Sequence, residues 1–296
     1  MAFCSLIRTF ASEMKKGLVL EGGAMRGLGT AGITDVMMKH GVWPDGLIGV
    51  SAGAAFGCNY KSRQIGRAIR YNMRFAQDAR YSGLKSLIMS GDYFNANFGY
   101  HVMPKVYDVF DDAAFNANSM EFFVVCTDVE TGKAVYQQLD TVNENTYDWI
   151  RASASMPLLS KVVELEGKKL LDGGVADSIP LEYFESIGYK HNVVILTQPA
   201  GYQKEHNRLM PLMRLSLRRY PYMVKALDER HIMYNYQLEY VAKAEHEGRC
   251  LVIRPDGKIP IGHISHNADE MRHVYEMGLE TGERYIHRIQ QFFDEK

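Results

Sequence analysis

The chain has 296 residues, of which 46% are hydrophobic, 11% aromatic and 23% charged. That composition excludes an intrinsically disordered chain and is sufficient for a sizeable core. Lys and Arg total 34 against 35 Asp and Glu, a net charge of -1, so the basic excess of a general nucleic-acid binder is missing. No run approaches the roughly 18 apolar residues of a membrane span, and Arg8 interrupts the only short apolar stretch near the start. Cys4, Cys58, Cys126 and Cys250 form no CxxC pair and have no His at metal-ligand spacing. These features predict a cytoplasmic protein without signal peptide, zinc site or disulfide framework.

In chain order, Gly17 to Glu21 is a short apolar run that stops at Gly22-Gly23, and a helical stretch follows from Gly27 to His40. The layout repeats at Leu47 to Val50, followed by the small residues Ser51-Ala52-Gly53-Ala54-Ala55 and another helix. Pro44 and Gly46 break the chain between the two units, which predicts a βαβ crossover with parallel strands. Gly57 to Ala79 reads as one helix, with Arg63, Arg67, Arg70 and Arg74 spaced to share a face. That face is either solvated or an anionic-headgroup contact.

Further strands are predicted at Glu121 to Thr127, Ala134 to Gln137, Val162 to Leu165 with Lys169 to Leu171, and Asn192 to Thr197. The near-continuous apolar runs FFVVC and VVIL suit central strands buried on both faces. Asn207 to Glu247 reads as one or two helices interrupted near Pro221. Asn267 to Phe293 reads as a helix capped by Asn267 with Glu270 three residues on. Leu209, Met210, Leu212, Met213, Leu215 and Leu217 alternate with Arg208, Arg214, Arg218 and Arg219 in a basic amphipathic stretch. It either packs within the fold, lies against a bilayer or covers the site. No repeat or Pro/Ser-rich linker divides the chain, so a single domain over 1-296 is expected, with a core at about 16-199 and a helical part from about 200.

Gly49-Val50-Ser51-Ala52-Gly53 matches GxSxG between a predicted strand and helix, the context of a nucleophile elbow. Glycine is needed there because the turn strains the serine backbone and side chains would block both the turn and the substrate carbonyl. The helix after Ser51 points its free N–H groups at the site. Gly22-Gly23-Ala24-Met25-Arg26-Gly27 also leads a strand into a helix, so its backbone amides can serve an oxyanion if the two strands are neighbours. As a phosphate loop it is poor, since Ala24 breaks GxGxxG and no GK[ST] follows. The proton acceptor is harder to read: His263 and His266 are the only late pair that looks placed. Asp172-Gly173-Gly174, after Leu170-Leu171, is ordinary turn chemistry when taken alone.

The segments GGAMRG, GVSAG and DGG, in this order, resemble the patatin-like phospholipase family. The likeness extends to Arg151 to Pro157 (RASASMP) and Ile179-Pro180-Leu181, and covers about Lys16 to Pro199. It implies a three-layer α/β/α fold with a mainly parallel sheet and a Ser–Asp dyad, Ser51 the nucleophile and Asp172 the base. It also implies an oxyanion loop of Gly22, Gly23, Ala24 and Arg26, with Gly49 and Gly53 shaping the elbow and Gly173 and Gly174 the turn behind the base. The implied activity is hydrolysis of lipid-like carboxylic esters, of phospholipase A, lysophospholipase or esterase type, with no cofactor, metal or nucleic acid. The expected partner is an acyl-ester lipid, with peripheral contact at a membrane surface. Ala24 departs from the commoner GGGxRG pattern, and its backbone donor survives provided that φ need not be positive. Two other readings compete: an α/β-hydrolase with a Ser-His-Asp triad drawing on His263, His266 or His273, and a lipid-binding protein of weak turnover.

Overall fold

A computed structural model describes residues 14–295. Cys4 and Arg8 lie outside the described residues. In chain order the elements are β1 (Lys15–Leu20), α1 (Gly27–Lys39), β2 (Gly46–Val50), α2 (Ala52–Lys61), α3 (Arg67–Phe75), α4 (Leu84–Ser90), α5 (Asp112–Ala117), β3 (Glu121–Asp128), β4 (Ala134–Gln138), α6 (Thr146–Ser153), β5 (Val163–Leu165), β6 (Lys168–Asp172), α7 (Leu181–Ser186), β7 (Tyr189–Ile195), α8 (Met210–Ser216), α9 (Pro221–His246), β8 (Cys250–Ile253) and α10 (Ala268–Asp294).

The apolar runs become strands because both of their faces are covered. Leu18, Leu20, Leu47, Phe122, Val124, Val193 and Ile195 point to one side, where they pack on Val36, Met37, Trp149 and Ile286 of the helices. Val19, Ile48, Val50, Phe123, Val125 and Val194 alternate to the other side, against Phe184, Tyr234 and Val241. This is the expected three-layer α/β/α arrangement. β3, β2, β1, β7 and β8 run parallel, while β4 and β6 are antiparallel to β3. The segment beyond residue 200 supplies β8, which extends the sheet along β7, and α10, which packs on α1.

The registers on β3 place the two ends that matter. β2 pairs with β3 up to Val50 opposite Val125, and β6 begins its pairing with Asp172 opposite Cys126. β4 spans Phe123 to Thr127 and overlaps both partners. A strand has two edges, so β4 takes one, and β2 and β6 meet end to end along the other. The residue that follows β2 is therefore delivered to the residue that ends β6.

Three expectations need correction. Gly57 to Ala79 is not one helix: α2 stops at Lys61, whose ammonium donates to the carbonyls of Asn118 (2.7 Å) and Met120 (2.5 Å). Arg63 (φ 58°) and Gly66 (φ 72°) then turn the chain before α3 starts. The four arginines consequently share no face. Arg63 stacks on Trp43, Arg67 is buried beside Asp108, Arg70 binds Asp108 (2.7 Å) and Arg74 donates to the Tyr107 carbonyl (2.8 Å). At α10, Asn267 caps as expected by accepting from the amides of Asp269 and Glu270, but Glu270 does not return to the Asn267 amide. Ser265 accepts that N–H instead (3.2 Å) and donates to Glu270 (2.7 Å). The amphipathic stretch divides: Met210, Met213 and Leu217 are buried against Leu171, Val175 and Leu227, while Leu209, Leu212 and Leu215 stay exposed.

Candidate active site

β1 and β2 are neighbours, and the loops at their carboxyl ends open side by side, where α/β sheets place ligands. Ser51 follows β2 with φ 55° and ψ −118°, a strained conformation costing about 1–3 kcal/mol that lifts the side chain out of the strand. The elbow closes only without side chains: a Cβ on Gly49 would lie 2.5 Å from the Gly53 carbonyl, and one on Gly53 would strike the Leu20 carbonyl.

The Ser51 hydroxyl donates to Asp172 Oδ2 at 2.6 Å, across 121 positions of sequence, and both residues are buried. The other oxygen of Asp172 accepts from the Gly174 amide at 2.8 Å. Gly173 lets this turn press on the Val125 carbonyl, where a Cβ has no room. Burial raises the Asp172 pKa above the ordinary carboxylate value, while the Ser51 hydrogen bond, the Arg230 charge and the Gly174 amide pull it back down. A carboxylate so placed has the reach and the raised basicity to take a serine proton.

On the facing loop, Gly22 abuts Ser51, with its Cβ position 3.0 Å from Ser51 Cβ, and Gly23 abuts the Thr197 side chain. A short 3-10 turn, Ala24–Arg26, then leads into α1. Among the described residues, the amides of Gly22, Gly23 and Ala24 donate to no protein acceptor, which leaves them free for an anion beside Ser51. Ala24 does adopt a positive φ, 48°, so the departure from glycine is a strained one. Arg26 points sideways and its Nη1 bonds His263 Nε2 at 2.8 Å.

The sequence gave no role to Ser153, within the RASASMP stretch. Its hydroxyl accepts from the Ser51 amide (2.8 Å) and donates to the Val125 carbonyl (2.6 Å), tying the elbow to β3. His263 lines the cavity that contains Ser51, but burial and then the charges of Arg26, Lys204 and Arg230 lower its pKa. His266 is occupied by the Tyr93 hydroxyl and the Ala76 carbonyl, and His273 is exposed. The cavity runs from Ser51 beneath Phe56, Phe94, Met103 and Phe110. Much of that wall comes from the segment between α4 and α5, which carried no motif in the sequence. Such an apolar walled cleft with few polar groups suits an acyl chain.

A family model described as patatin-like phospholipase matches residues 18–185. A second, described as domain of unknown function (DUF6363), matches residues 220–294. The uncharacterized protein YjjU of Escherichia coli K12 is 33% identical over 190 residues, 62% of this chain and 52% of that protein. Lysophospholipase NTE1 of Candida albicans is 27% identical over 197 residues, 65% of this chain and 14% of its own length. The matches thus span about half of the first relative and a small part of the second. Among solved structures, VipD from Legionella pneumophila aligns with a TM-score of 0.45 at 12% identity, covering 92% of this chain and 66% of that one.

Proposed function

The chain belongs to the patatin-like phospholipase family, and on that premise we propose that it is a serine acyl hydrolase of lipid-like carboxylic esters with Ser51 as nucleophile and Asp172 as base. The observation that carries this reading is the 2.6 Å hydrogen bond between the two buried side chains. Asp172 takes the Ser51 proton as Oγ attacks the ester carbonyl, and the amides of Gly22, Gly23 and Ala24 receive the oxyanion. Collapse expels the alcohol, which takes the proton from Asp172 and leaves an acyl-serine. Water, deprotonated by the same carboxylate, then attacks the acyl carbon, and the acid departs as Ser51 regains its proton. The name of the lysophospholipase relative supports the substrate class, and the apolar cleft supports a long acyl chain.

A histidine-based triad is disfavoured by the bonding of the candidates. His263 is turned to Arg26, His266 to Tyr93 and Ala76, while the Ser51 hydroxyl is given to Asp172. The exposed Leu209, Leu212 and Leu215 beside Arg218 and Arg219 support peripheral contact with an anionic lipid surface. Replacing the three leucines by serine is expected to reduce sedimentation with anionic vesicles, and unchanged binding would remove that contact.

Hydrolysis of p-nitrophenyl esters of increasing chain length tests the hydrolase reading. Turnover is expected to rise with chain length and to vanish in Ser51→Ala with its circular dichroism intact. Turnover retained in the folded variant would overturn the assignment.

A further inference from the structure

Three cations converge on one corner of the site from separate parts of the chain. Arg26 comes from the first loop, Lys204 from the stretch after β7, and Arg230 from α9, within the region matched by the domain of unknown function. Arg26 binds His263. The Nε of Arg230 donates to the Gly174 carbonyl, and its Nη2 lies 3.1 Å from the Cβ position of Gly174, directly behind the base. Lys204 is pinned to α9 by Asn235, which accepts from its amide (2.8 Å) and donates to its carbonyl (3.1 Å). This holds Nζ over the Tyr234 ring, 5.1 Å from the centroid.

Such an assembly is costly when left alone, because like charges at short range repel and burial weakens their hydration. Elsewhere the chain pairs its half-buried cations: Arg70 with Asp108, Arg249 with Glu185, Arg254 with Glu245. Among the described residues, no carboxylate oxygen lies within 4.0 Å of the charged nitrogens of Arg26, Lys204 or Arg230. The two nearby acids are already engaged. Glu21 accepts from the Thr197 amide and the Tyr234 hydroxyl, each at 2.5 Å, and Asp172 from Ser51 and Gly174. Burial, followed by Arg230 and Arg26, lowers the Lys204 pKa to about 8, and His263 is pushed down by burial and then by all three cations. The Nε of Arg26 is buried without a partner. The corner carries positive charge and donors that no protein group satisfies.

None of the three cations lines the apolar cleft, whereas His263, which they surround, does. With the acyl chain in the cleft, they are left to the alcohol half of the ester. We infer that Arg26, Lys204 and Arg230 form a subsite for a phosphate group on the alcohol half of the substrate, so that the site favours acylglycerol phosphates over neutral acylglycerols. The placement of the ester rests on the Ser51–Asp172 reading, but the subsite is testable without turnover. Planar guanidinium groups and a flexible ammonium suit a phosphate that carries several acceptor oxygens.

The test is calorimetric binding to Ser51→Ala protein of 1-oleoylglycerol 3-phosphate and of 1-oleoylglycerol, both below their micellar concentrations. The phosphate ligand is expected to bind about tenfold or more tightly. Lys204→Met and Arg230→Gln, each in the same background, are expected to cut that preference to less than about threefold, with Lys204→Arg restoring it. Lys204 makes no side-chain hydrogen bond, so its variant remains informative should Arg230→Gln disturb the Gly174 turn. Equal binding of the two ligands, or a preference unchanged in both variants, would overturn the subsite. So would inorganic phosphate binding as tightly as the acylated ligand, since the corner would then hold a free anion. A wild-type protein that hydrolyses no ester would remove the hydrolase reading and leave this binding comparison standing.

Discussion

Ser51 and Asp172 are held by backbone, whereas Lys204, Arg230 and His263 are held by side chains from loops and helices beyond residue 200. The first pair sits where β2 and β6 meet on one edge of β3, between glycines whose missing Cβ atoms allow carbonyls to approach. A shift there requires the sheet to move. The second group depends on a few directional contacts, such as Asn235 with Lys204 and Arg230 with the Gly174 carbonyl. The difference separates two jobs. Bond making needs sub-ångström placement and is built into the sheet, while charge acting over several ångströms tolerates looser support.

Breaking the rigid half should have the larger effects. Asp172→Asn keeps the size of the side chain but removes the base, and kcat/KM on a soluble ester is expected to fall about a thousandfold or more. Activity within tenfold of wild type would remove Asp172 from the base role. Ser153→Ala cuts the tie between the Ser51 amide and the Val125 carbonyl and leaves a buried polar group unmatched. We expect a loss of about 1–2 kcal/mol in urea unfolding, together with roughly tenfold lower kcat.

On the looser half, Arg230→Gln removes a charge that holds the Asp172 pKa down. Because the base works ionised, the acid limb of the kcat/KM profile should move to higher pH, with activity lost at low pH and recovered at high pH. Arg230→Lys should return the limb towards its original position, whereas a limb fixed in all three proteins would show that Arg230 does not act on the base. The smallest effect is expected at Ala24, where Ala24→Gly relieves the positive φ but loosens the unfolded chain. The net change in stability should be about 1 kcal/mol or less in favour of glycine, measured by thermal unfolding.

The rigid half was legible in the sequence because its chemistry is local. Strand, glycine turn and helix follow one another within a dozen residues, and the glycines mark where the backbone must bend or be approached. What no local pattern encodes is the meeting of β2 and β6, which follows from β3 holding three partners and was supplied in the sequence only by family resemblance. Ser153 was hidden for a similar reason: its partners, Ser51 and Val125, lie on other strands or their ends. The arginines from 63 to 74 misled because no proline marks the break after Lys61, and Arg67 and Arg70 find Asp108 far along the chain. The four-residue β8 is too short to show a period, and the cations converge only once α9 is docked.

Reaction with a fluorophosphonate, followed by peptide mass mapping, tests the central claim most directly, because the reagent phosphorylates only a serine whose oxygen has been activated. The account predicts a single adduct on the peptide carrying Ser51, absent in Ser51→Ala and strongly slowed in Asp172→Asn. An adduct on another residue, or labelling of Ser51 that is indifferent to Asp172, would contradict it.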